Sequence, residues 1–112
     1  MGFMDQICVT GPVLTLSFSV STIGDNIIVP AVAGKKLEIY RIILQSTGAQ
    51  NMAFKDGAAI SLTGVMDFAA LSGIVLDPTS LPWFEISAGN DFILNLSANT
   101  KVSGKVDYIV QR

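Results

Sequence analysis

A chain of 112 residues with seven basic and nine acidic side chains makes one domain of formal charge −2, with no positive field to draw nucleic acid. It holds no histidine and a single cysteine, which removes the commonest general base and metal ligand, every Ser-His or Cys-His nucleophile pair, and any disulfide within the chain. Charged residues make up only 14% while half the chain is apolar, too little charge to wet a lone surface of this size, so part of it is expected to be covered by other subunits.

The opening residues, "MGFMDQICVTGP", show no clear alternation and are expected to form an arm over 1–12, ahead of a domain over 13–112. They lack the basic leader and long apolar run of a secretory signal, and Gln6 stands where a myristoylation signal after Gly2 needs Ser or Thr. Cys8, between Ile7 and Val9, reads as an inert apolar filler. No apolar run approaches the roughly 18 residues of a spanning helix. A cytosolic chain with no membrane step of its own is expected.

From there the periodicity is two nearly everywhere. In "VLTLSFSV" (13–20), Leu14, Leu16, Phe18 and Val20 alternate with Thr15, Ser17 and Ser19, a half-buried strand with a hydroxyl face. "DNIIVPA" (25–31) is a short apolar run that Pro30 interrupts, as at an edge or a strand end. Ala33-Gly34-Lys35 turns into "KLEIYRIILQST" (36–47), where Leu37 and Ile39 share one parity and Ile42 and Leu44 the other. That slip near Tyr40-Arg41 predicts a bulge or a change to two-sided burial. "QNMAFKDG" alternates again, and Asp56-Gly57 is a two-residue hairpin signal leading to "AAISLTG" as the returning strand. Residues 64–73, "GVMDFAALSG", read as a folded loop. "GIVLDP", "PWFEIS", "DFILNLS" and "KVSGKVDYIVQR" complete the set, with Ala98-Asn99-Thr100 as the last turn. About eight strands without a helix longer than a turn predict an all-β chain, an antiparallel sandwich or small barrel, with a single jelly-roll-like antiparallel β-sandwich foremost.

Chemistry finds little footing. Zinc would have to be held largely by carboxylates, no Gly-rich phosphate loop occurs, and no closely spaced acidic run suits calcium. No cofactor is expected. A carboxylate pair would be the remaining route to hydrolysis. Asp56, Asp77 and Asp91 each sit beside Gly, Pro or Asn, where turn chemistry explains them, while Glu38, Glu85 and Asp107 fall in strands at positions that can face water. Asn95-Leu96-Ser97 matches a glycosylation sequon but lies inside a strand. Lys101 and Lys105 near Tyr108 read as a solvated hairpin.

Trp83 is the chain's lone tryptophan. In an extended Pro82–Ile86 segment, Phe84 and Ile86 share a face with the core, together with Phe92, Leu94 and Leu96, while Trp83 shares its face with Glu85. That places Trp83 either at an interface, where aromatic anchors are common hot spots, or as a cap on the end of the sandwich. A lone tryptophan without partner aromatics is a thin glycan platform.

Two blocks, "AGKKLEIYRIILQSTGAQNMAFKDGAAISLTG" and "GIVLDPTSLPWFEISAGNDFILNLSANTKVSGKVDYIV", cover roughly residues 33–110. With their Ala-Gly-Lys turn, lysine-bearing hairpin, Pro-Trp-Phe segment and Asn-Leu-Ser strand, they resemble small structural proteins of tailed bacteriophages. The resemblance implies a β-sandwich virion component, foremost a capsid decoration (cement) protein that trimerises and clamps neighbouring major capsid subunits from outside. It implies no enzyme activity, no nucleic-acid partner and no membrane, with synthesis in the host bacterial cytoplasm. Interface candidates on this reading are Phe3, Met4 and Ile7 of the arm, and Trp83. The alternative is a tail or fibre module that binds host surface glycan.

Overall fold

The computed structural model describes residues 12–78 and 80–111. The expected arm, with Phe3, Met4, Ile7 and Cys8, lies almost wholly outside the described residues; only Pro12 falls within them. Among those described there are ten strands and no helix. They are β1 (Leu14–Val20), β2 (Gly24–Val29), β3 (Leu37–Ser46), β4 (Gln50–Asp56), β5 (Ile60–Ser61), β6 (Met66–Phe68), β7 (Gly73–Leu76), β8 (Phe84–Ile86), β9 (Phe92–Leu96) and β10 (Val102–Val110).

Two antiparallel five-stranded sheets pack face to face. One runs β1-β10-β3 and then carries β7 and β8 end to end along the far side of β3; the other runs β2-β9-β4 and carries β5 and β6 along β4 in the same way. Ten strands thus occupy eight positions, in the strand order of a jelly roll. The expected count of about eight is corrected to ten because both of these edges are broken into short pieces.

The parity slip in β3 is a bulge. Asp107 faces Arg41 and Tyr108 faces Ile39, leaving Tyr40 as the extra residue. One added residue resets the alternation, so Leu37 and Ile39 before it and Ile42 and Leu44 after it all point into the core, none more than 3% exposed. A second shift in β2, between Ile27 and Val29, turns both Ile28 and Val29 inward before Pro30 ends the strand.

Two expectations are corrected in detail. The turn after Asp56 has three residues, since Asp56 pairs with Ile60. A two-residue type I′ turn needs positive φ at both central positions, and only Gly57 supplies it, at φ 67°. The segment 64–73 is not all loop, because Met66–Phe68 pairs with β4 and buries Phe68. A strand of three residues is too short to show a period.

The core is built from β3, β4, β9 and β10, with Phe54 stacked on Phe92 at 5.4 Å and Phe84 tilted against both. Burying each such ring is worth about 2–3 kcal/mol. Phe84, on the short β8, is the partly exposed member of the three. At Gly104 on β10 the backbones approach so closely that an added Cβ would sit 2.0 Å from the Ile43 carbonyl oxygen. Phe18 of β1 is its cross-strand neighbour, and its ring packs against the core from the open side.

Candidate interaction surface

The polar side chains are largely committed to holding the sandwich. Asp56 on β4 is only 4% exposed. It accepts hydrogen bonds from Ser87 N (3.1 Å), Ser87 Oγ (2.7 Å) and Asn90 Nδ2 (3.0 Å). Burial pushes its carboxyl up, but the bonds from Ser87 and Asn90 outweigh this and leave it below its ordinary value. Turn chemistry alone therefore undersells Asp56. It latches β4 of one sheet to the segment after β8 of the other. Asp91 extends the same corner by accepting from Ala31 N at 2.7 Å.

Asp25 on β2 accepts from Asn95 Nδ2 (2.7 Å) and pairs with Lys55 Nζ (3.1 Å). The Asn95 bond is the main cause that lowers its carboxyl, against some desolvation and with help from Lys55. Asn95, the sequon residue, thus spends its amide across the sheet. Asp107 accepts from Thr15 Oγ1 at 2.8 Å.

Glu38 and Glu85 stand directly opposite each other on β3 and β8. Gln111 Nε2 donates to Glu38 Oε2 at 2.6 Å and lies 3.4 Å from Glu85 Oε2. Tyr40 donates its hydroxyl to Glu38 at 3.3 Å, and burial, seconded by the Glu38 charge, holds that phenol above its ordinary value. A glycosidase acid pair flanks a substrate across a cleft. Here two like charges on adjacent strands are bridged by a neutral amide on a half-exposed face.

Trp83, just ahead of β8, is 43% exposed, while Phe84 beside it packs against the core. Its backbone N–H donates to Ile39 O at 2.8 Å, and its ring Nε1 donates to Asp77 O at 2.6 Å. That bond ties the ring to the segment joining β7 and β8, with no ring partner among the described residues. Nearby on the outer side of β3 and β7, Ile43 faces Val75, and both are exposed. Arg41 and Asp77 lie 3.9 Å apart between that pair and Trp83.

A second exposed apolar surface lies at β1, which the sequence pattern did not single out among the strands. Val13 and Leu14 are exposed, while Leu16, Phe18 and Val20 are only partly covered although they belong to the inward face. β1 and β2 are the outermost strands of their sheets on this flank. The pointer that was available in the sequence is the charge-free run from 12 to 24. No family model matches this chain, and no curated protein or solved structure matches it either.

Proposed function

We propose that the chain is a non-enzymatic virion structural subunit, a capsid decoration protein that self-associates and stabilises a phage head by gripping neighbouring major capsid subunits. The observation that carries this reading is the jelly-roll strand order, an architecture used by viral capsid and lectin domains, in a chain that leaves large apolar side chains exposed at both β1 and the β3–β7 face. The carboxylates are spent on latches and cross-strand bridges, in keeping with a scaffold. Binding to the assembled lattice and not to its separated parts would raise the stability of the shell by mass action.

The test is to add purified protein to undecorated heads. Co-sedimentation with the heads, and heads that withstand higher temperature, are expected. Heads that neither bind the protein nor gain stability overturn the proposal. The exposed Trp83 favours the second reading, a tail or fibre module for host glycan, to the extent that glycan-array binding is found and is lost in Trp83→Ala.

A further inference from the structure

We propose that β1 is the self-association edge, pairing antiparallel with β1 of a second copy across a two-fold axis. The inference rests on the self-associating reading above, names the surface it uses, and sets a two-fold pair in place of the trimer that the resemblance implies.

An unpaired strand edge offers a row of N–H and C=O groups to any passing strand, and stable monomers protect such edges with charge, proline, bulges or brevity. Every other edge here carries a protection. β2 has Asp25 and a bulge, while β5, β6, β7 and β8 have only two, three, four and three residues. β1 has none of these. It is seven residues long, pairs with β10 in unbroken register, and holds no charged residue and no proline. Among the described residues nothing pairs with its far side.

What the edge fits is set by its own pattern. In a two-fold antiparallel pair the same patch meets itself, so any charge on β1 would confront its own copy; an uncharged strand is compatible with this. Centring the axis on Ser17 keeps inward residues opposite inward residues. Leu16 then faces Phe18 of the partner strand and Leu14 faces Val20, while Thr15 meets Ser19 and Ser17 meets its own copy. Aromatic–aliphatic and hydroxyl–hydroxyl pairs of this kind are favourable cross-strand neighbours. The pairing adds cover to the half-exposed inward row of Leu16, Phe18 and Val20, and it joins two five-stranded sheets into one continuous sheet.

Sedimentation equilibrium of the intact protein, with two matched variants, tests this. Ser17 is exposed and faces Lys105 on β10. Ser17→Glu therefore gains an ion-pair partner within its own subunit while setting two carboxylates against each other at the axis. Ser61→Glu is the control, since Ser61 is exposed and faces Lys55 on a different edge. The wild type should form dimers, Ser17→Glu should dissociate roughly 100-fold more readily, and Ser61→Glu should behave as wild type, all with unchanged circular dichroism. A wild type that stays monomeric, a closed trimer, or equal weakening by both variants overturns the proposal. Failure of a well-formed dimer to bind heads would instead count against the decoration role.

Discussion

The corner where β4, β8 and β9 meet and the flank where β1 and β2 meet are finished in opposite ways. At the corner, Phe54 and Phe92 are almost fully buried, and Asp56 ties the two sheets through Ser87 and Asn90. At the flank, inward-facing Leu14 remains 40% exposed and Leu16, Phe18 and Val20 are only partly buried. One chain thus contains both a closed wall and an open one. The closed wall supplies the stability of the subunit, and the open wall is where stability should depend on a neighbour.

Substitutions can sharpen that contrast. Phe92→Ala at the closed corner should cost about 3–5 kcal/mol in urea denaturation, irrespective of protein concentration. Asp56→Asn should cost about 2 kcal/mol, because an amide nitrogen is placed among donors that need an acceptor. Asp56 also sets a pH dependence. Its folded carboxyl lies below the ordinary 3.8, so its contribution is fully present above that value and is lost as pH falls through the folded value. Acid titration of stability should be flatter below about pH 4 in Asp56→Asn than in wild type.

Leu16→Ala on the open flank should cost only about 1 kcal/mol in dilute solution, since its side chain is half-covered there. The loss should grow as the protein is concentrated, because the wild type then gains from pairing and the variant gains less. A loss as large as that of Phe92→Ala in dilute solution would mean that the flank is already closed. Trp83→Ala should have the smallest effect on folding, under about 1 kcal/mol, because the ring contributes one hydrogen bond and a half-exposed surface.

The strand layout was legible in the sequence wherever alternation ran for five residues or more, as in β1, β3, β9 and β10. The irregularity at Tyr40 was legible too, as a bulge or a change to two-sided burial, and the strand pairing decides for the bulge. Short strands were not. β6 became visible only through its pairing with β4, and the broken edges raised the strand count above expectation. Alternation set Trp83 apart from the core-facing Phe84, and Trp83 is 43% exposed. Asp56 was legible as a turn residue, but its burial depends on Ser87 and Asn90, more than thirty residues away. The openness of β1 was also hidden, because Leu14, Leu16 and Phe18 have the pattern of ordinary core. Only the folded structure reveals that they stay partly exposed.

Amide hydrogen exchange across β1, measured as a function of protein concentration, tests the open wall most directly. If a second copy completes it, amides of Leu14–Val20 that face away from β10 exchange quickly in dilute solution and become protected on concentration, while β9 stays protected throughout. Exchange in β1 that is identical at every concentration, whether fast or slow, would contradict the account.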